Sequence, residues 1–250
     1  MSDKVILKQT ATKLVYREGD RVVKSFVPSH PKSDVFNEAF IQVCVEESGV
    51  PVPHVTRVFQ NEEGGWALEM EYVEGKTMRQ LIEENPDKTD EYLERFVEIQ
   101  LEVGSHRARR LRNTKIKMSD AVKSLTDVDA STRYELQTRI GGMANHTKLC
   151  HGNFVPSNVV IRPDGSYCIL DWAHATSGNA GGDAAATYLM FSIEKPELAD
   201  KYLHIYAKKA DMAIQYIQRW MPVVAAYQMT KHVPGEREIL EDWISVAEYQ

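Results

Sequence analysis

Residues 149–175 read "LCHGNFVPSNVVIRPDGSYCILDWAHA", and the fold is decided by how the middle of this stretch turns back on itself. Val159-Val160-Ile161 and Tyr167-Cys168-Ile169-Leu170 are strand-like runs. Between them Pro163-Asp164-Gly165 is a turn signal, since proline presets φ and glycine tolerates the left-handed region. A hairpin here brings its open ends together, with Asn158 just before the first strand and Asp171 just after the second. An amide oxygen and a carboxylate meeting at one point suit Mg²⁺, a hard cation that takes oxygen ligands and retains water. Capping of two strand ends is the plainer use for the same residues.

Outward from the hairpin, the chain changes character once. Residues 1–75 are strand-rich. "KLVYREGDRVVKSFV" reads as two strands around Glu18-Gly19-Asp20, and "VTRVFQNEEGGWALEMEYV" as two more around a Glu-Gly-Gly turn. One helix is inserted, "DVFNEAFIQVCVEESG", with Phe36, Phe40, Val43 and Cys44 at helical spacing and Gly49 as its stop. Beyond Gly75, "TMRQLIEEN", "DEYLERFVEIQLEVGSHRARRL", "STRYELQTRI" (ended by Gly141-Gly142) and most of residues 197–230 read as helices. The expected architecture is α+β: a small β-rich lobe with one helix over residues 1–75, and a larger, mostly helical lobe over residues 76–250.

The residues around the hairpin carry a resemblance. His151, Gly152, Asn153, Pro156 and Asn158, followed by Asp171-Trp172, resemble HGDxHPxN and (I/L)DW of the aminoglycoside phosphotransferase and choline kinase family. The five-residue step from position 153 to Asn158 matches the D-x-x-x-x-N of kinase-type catalytic loops. "GNAGGDAAATYLMF" is similar to that family's GDPxxDLA segment and aligns its buried aspartate with Asp183. The resemblance implies a bilobal protein-kinase-like fold, with ATP and Mg²⁺ as cofactors and a nucleotide site between the lobes. It further implies Asn158 and Asp171 as metal ligands, His151 and position 153 in the catalytic loop, and Asp183 as its structural support.

By the same resemblance, Lys24 in "RVVKSF" holds the α- and β-phosphates and Glu38 in "FNEAF" is its helix partner, with Glu46 as a competitor. "LEMEYVEG" resembles the hinge, whose backbone at Glu71 and Val73 hydrogen-bonds adenine and whose Met70 stands at the back of the pocket. The first hairpin departs from pattern: Thr10, Ala11 and Thr12 occupy the phosphate-covering turn, with no glycine-rich run.

The larger departure is Asn153. The family carries an aspartate there that accepts the acceptor hydroxyl's proton. An asparagine amide still accepts a hydrogen bond but has no usable basicity. A positioned base is typically worth about 10²–10⁴-fold, whereas phosphoryl transfer runs mainly on positioning and charge neutralisation. The expected function is an ATP-dependent phosphotransferase acting on a small-molecule acceptor, and the alternative is an impaired pseudoenzyme that binds ATP and acts as a scaffold. His174 is a candidate replacement base or an ordinary loop residue. An acceptor already ionised at neutral pH is a further solution, because it needs no base.

Composition bounds the remaining classes. The 250 residues are 43% hydrophobic and 26% charged, ordinary for a globular chain able to bury a large core. A net charge of −6 argues against a nucleic-acid partner. No apolar run approaches a bilayer span, and the start lacks a signal-peptide core, so a cytoplasmic protein without a membrane partner is expected. Cys44, Cys150 and Cys168 fit reduced, buried thiols. Residues 76–250 are close to charge balance, not the acidic trough that polycationic aminoglycosides call for. The C-terminal "GEREILEDWISVAEYQ" offers local acidity or a solvated helix face. Trp172, Trp220, Tyr227 and Trp243 would make either a box for a quaternary amine or plain core. Oligomeric state is left open.

Overall fold

The computed structural model describes residues 4–245. Residues 246–250, the end of the acidic C-terminal stretch, lie outside the described residues. The chain forms two units, Met1–Leu81 with Ser157–Ala173, and Ile82–Pro156 with His174–Gln250.

The first unit is built on a five-stranded antiparallel sheet of β1 (Val5–Gln9), β2 (Lys13–Glu18), β3 (Arg21–Phe26), β4 (Val55–Gln60) and β5 (Trp66–Glu71), in the order β1-β2-β3-β5-β4. A two-residue loop, Gly19-Asp20, joins β2 to β3 with Glu18 opposite Arg21, the shortest hairpin connection. Along β3 successive side chains alternate faces, so Val22, Lys24 and Phe26 share one. That face is covered by α1 (Lys32–Glu46), whose Val35 and Ala39 pack with Phe26, Leu68 and Met70.

The helix expected from Phe36, Phe40, Val43 and Cys44 forms, but its buried stripe is set elsewhere. Val35, Glu38, Ala39, Ile41, Gln42, Cys44 and Val45 face inward, while Phe36 and Phe40 are 44% and 41% exposed. Phe36 instead meets the edge of Trp66, with the Lys32 ammonium over the indole.

The hairpin closes this unit. Strands Val159–Ile161 and Tyr167–Ile169 pair in register, and β6 (Lys76–Thr77) adds to Val160-Ile161. The hairpin groups with the first 81 residues. The reason is local. Gly75 sits at φ +146°, and a Cβ there would meet the Ile161 carbonyl at 2.3 Å, so the chain leaves β5 pressed against the hairpin and continues along its edge.

The second unit is mostly helical. Its core gathers around Phe96 on the helix Thr89–Ser105, whose ring meets Phe154, Phe191 and Tyr202. Two helices escape the sequence reading. The helix Thr114–Ser124, N-capped by Asn113, carries no apolar stripe strong enough to announce itself. The helix Ala180–Glu194 begins with two glycines and is capped by Asn179, whose side chain accepts from the Gly181 amide. A short antiparallel pair, Lys148–Cys150 with Thr176–Gly178, joins Cys150 to Thr176 and so sets His151–Asn153 beside His174. All three cysteines are buried and outside any disulfide. Among the described residues no helix is long and apolar enough to cross a membrane.

Candidate active site

Lys24 and Glu38 arrive on facing surfaces, one from the middle of β3 and one from the second turn of α1. Both are 8% exposed, and Lys24 Nζ lies 2.6 Å from Glu38 Oε1. Glu46, the competing glutamate of that helix, is engaged with His54 Nδ1 at 2.7 Å. The lysine has a second partner, Asp171 Oδ1 at 2.7 Å. Burial alone would lower its pKa, but the charges and hydrogen bonds of Asp171 and Glu38 outweigh that and hold it above the ordinary lysine value. The lysine is thus a fixed cation.

Asp171 is presented by the hairpin. Its φ of +62° is unusual for a residue with a Cβ, a conformation costing on the order of 1 kcal/mol and found preferentially at functional positions. The Leu170 amide donates to the Asn158 carbonyl at 2.8 Å, so Asn158 is held against the residue preceding Asp171. Both oxygen-bearing side chains line one cavity of about 320 Å³ together with Lys24. The Asp171 side chain remains 30% exposed after engaging Lys24, so the carboxylate is accessible from the cavity.

Val15, Val22, Met70 and Leu170 give the same cavity apolar lining, and Glu71, Tyr72 and Val73 also line it. The Glu71 amide donates to His54 and the Tyr72 amide to Asp20, both at 2.9 Å. Lys8 and Lys13 also line it, and sequence reasoning missed them because strand lysines look solvated. In the turn between them, Thr10 Oγ1 accepts from the Lys13 amide at 3.1 Å and the Thr12 amide at 3.4 Å. The turn is therefore tightened by a hydroxyl, where glycines would leave the amides open.

His151, Asn153 and Asp183 belong to the second unit. Gly152, at φ +75°, lies so close to the His174 carbonyl that a Cβ would stand 2.7 Å from that oxygen. Its amide donates to Asp183 Oδ1 at 2.7 Å. Asp183 is 7% exposed; burial raises its pKa, while hydrogen bonds from this loop and the nearby His151 oppose the rise. The fully buried His151 accepts the Asn153 amide on Nδ1 at 3.2 Å, which requires that Nδ1 carry no proton. The His151–Asn153 segment is therefore rigid.

The aromatic box does not form: Trp172 and Trp220 are fully buried, and Trp243 meets Tyr188 edge-on. Tyr227 already holds two ammonium groups, Lys117 and Lys231, over its ring. His174 Nδ1 lies 3.3 Å from the Tyr227 hydroxyl.

The first unit thus holds a sheet lysine bridging a helix glutamate and a hairpin aspartate, and the second unit holds a histidine-led loop resting on a buried aspartate. The chain belongs to the phosphotransferase enzyme family, whose sequence model matches residues 8–215. Among solved structures it is similar to a thermostable mutant of aminoglycoside phosphotransferase APH(4)-Ia in ternary complex with AMP-PNP and hygromycin B, at 13% identity and TM-score 0.72, covering 98% of this chain and 92% of that one. The GDP complex of an aminoglycoside 2'-phosphotransferase-IIIa mutant matches at 19% identity and TM-score 0.63, covering 99% and 89%. A choline/ethanolamine kinase family protein from Mesorhizobium loti matches at 16% identity and TM-score 0.61, covering 100% and 88%. At these identities the likeness is one of fold, and it agrees with the α+β, protein-kinase-like architecture expected from the sequence. A comparison with curated proteins finds no match.

Proposed function

We propose that this chain transfers the γ-phosphoryl group of ATP to a small-molecule acceptor. The observation that carries the reading is the Lys24 ammonium fixed between Glu38 and Asp171 at the wall of a cavity with both apolar and charged lining. The apolar lining suits a purine, with the Glu71 carbonyl and the Val73 amide as its hydrogen-bonding edge. The cationic lining suits a triphosphate, with Lys24 on the α- and β-phosphates and Lys8 and Lys13 as further cations. Two neighbours of this fold carry nucleotides, AMP-PNP and GDP.

Asn158 and Asp171 fit Mg²⁺: both offer hard oxygen donors to the same cavity, and the strained backbone of Asp171 keeps its carboxylate accessible. The ion would neutralise phosphate charge and help align the transferred group. The protein's own contribution is positioning. Lys24 is held as a cation, the hairpin fixes Asn158 beside Asp171, and Asp183 pins the loop that presents Asn153.

Asn153 supports a second reading, in which the chain binds Mg·ATP as a scaffold without transfer, because no carboxylate stands where a base is needed. A thermal-shift titration with Mg·ATP tests both. A ligand that binds only the folded state adds about 2.7 kcal/mol at a hundredfold excess over its Kd. Absence of any Mg²⁺-dependent shift sinks both readings. ADP release that survives in Asp171→Ala would show that the turnover does not come from this site.

A further inference from the structure

Three lysines share one face of the sheet in the first unit, and an irregularity in β1 puts one of them there. Ile6 pairs with Tyr16, but the next pairing is Lys8 with Val15, so the register slips by one residue at Leu7. In an unbroken ladder Leu7 would stand opposite Val15, and Lys8 would belong to the other face. The bulge re-aims the strand, and Leu7 and Lys8 both line the cavity of about 320 Å³. Val15 in turn pairs with Lys24. Lys8, Val15 and Lys24 thus form one row across three strands, which sets the two lysine backbones about 10 Å apart. Lys13 stands two residues before Val15 on β2, shares its face and also lines the cavity.

The turn between Lys8 and Lys13 is closed on itself. The Thr10 amide donates to the Lys13 carbonyl at 2.9 Å. Thr10 Oγ1 accepts from the Lys13 amide at 3.1 Å and, at a longer 3.4 Å, from the Thr12 amide. Amides that a covering turn could offer to a phosphate are therefore already donating. Among the described residues the cavity is lined by Lys8 and Lys13 on either side of this turn, not by Thr10, Ala11 or Thr12. Lys24 adds no surplus positive charge, because Glu38 and Asp171 both engage it. Neither Lys8 nor Lys13 has an ion-pair partner among the described residues. Their charge is the part of the cationic lining left for a polyanion to meet.

We propose that Lys8 and Lys13 hold a polyphosphate chain, that of the nucleotide, by their ammonium groups, in place of the turn amides that Thr10 keeps closed. This rests on the nucleotide reading of the cavity and states how that site holds phosphate. The two modes of holding select differently. Backbone N–H groups in a fixed turn respond to where the phosphate oxygens lie, whereas an ammonium on a flexible stem acts as a point charge. Lys8 is exposed and Lys13 half-buried, so salt reaches both and screens them. Affinity therefore rises with the number of phosphates and falls as salt is added.

The test is calorimetric binding of Mg·ATP, adenosine and inorganic tripolyphosphate with Mg²⁺ to the full chain, at low salt and in about 1 M NaCl, where the screening length shrinks to about 3 Å. Lys8→Met and Lys13→Met should each weaken Mg·ATP binding about tenfold, and together remove most of its salt dependence. Adenosine affinity should not change, and Lys8→Arg with Lys13→Arg should bind Mg·ATP like the parent. In Thr10→Gly, whose amides are open, the two Met substitutions should cost less; an equal cost overturns the claim that Thr10 closes the turn to phosphate. Unaltered Mg·ATP affinity in the double Met variant overturns the proposal and leaves the nucleotide reading standing. A loss shared equally by adenosine overturns it too, since the lysines would then only support the fold. If the parent chain does not bind Mg·ATP, tripolyphosphate decides. Binding that the double Met variant abolishes keeps the polyphosphate site and rejects the nucleotide reading, and no binding overturns both.

Discussion

Lys24 Nζ lies 2.7 Å from Asp171 Oδ1, joining residues 147 positions apart in the chain. The same nitrogen holds Glu38, whose side chain is 10% exposed. Lys24→Met leaves that glutamate buried without its cation, and losing one partner of such a pair costs about 3–5 kcal/mol. Urea denaturation at pH 7 should show a loss of this order, and the Mg·ATP thermal shift should vanish with it.

Alkaline titration should report the same lysine. Its pKa in the folded state stands above the ordinary value of 10.5, so folding favours the proton. The contribution to stability is complete below pH 10.5 and is lost as pH rises through the folded-state value. Stability measured above pH 10.5 should fall less steeply in Lys24→Met than in the parent chain.

Lys117 has the opposite sign. Its folded-state pKa of about 8 lies below 10.5, so between these values the unfolded chain binds the additional proton and stability rises with pH. Below pH 8 the cost of the buried charge is constant. Lys117→Met should therefore stabilise the protein at pH 7, on the order of 1–3 kcal/mol, and abolish the rise between pH 8 and 10.5. A destabilised variant would mean that Lys117 is well solvated and not held at the cost argued here.

Asp183→Ala should act on the fold first. Removing Oδ1 orphans the Gly152 amide, and an unpaired buried donor costs about 1–3 kcal/mol. Asp183→Asn keeps an acceptor oxygen and should lose less. A melting temperature of Asp183→Ala equal to the parent's would refute the supporting role.

Asn153→Asp separates the chemistries. With an anionic acceptor, turnover should fall, because the new carboxylate repels the nucleophile. A rise toward the roughly 10²–10⁴-fold value of a positioned base would identify a neutral hydroxyl acceptor. No effect on ADP release with any acceptor, at intact Mg·ATP binding, would favour the scaffold.

What the sequence by itself determined was local in origin. The Gly19-Asp20 loop, the hairpin around Pro163-Asp164-Gly165 and the helix of "FNEAF" follow from turn chemistry and periodicity within about fifteen residues. The open ends of the hairpin singled out Asn158 and Asp171, while Lys24 and Glu38 were singled out only through the family resemblance. The tertiary structure decided what spacing cannot encode. Phe36 and Phe40 have the period of a buried stripe, yet the sheet face that α1 meets selects Val35 and Ala39. The hairpin packs with the first unit because Gly75 lets the chain press against Ile161. Lys117 lies on a helix that the sequence reading did not find, and the strand pair Lys148–Cys150 with Thr176–Gly178 goes with a His174 carbonyl that accepts from it, leaving it a partly buried cation. Burial and charge environment come from contacts between distant segments, and a one-dimensional pattern carries neither.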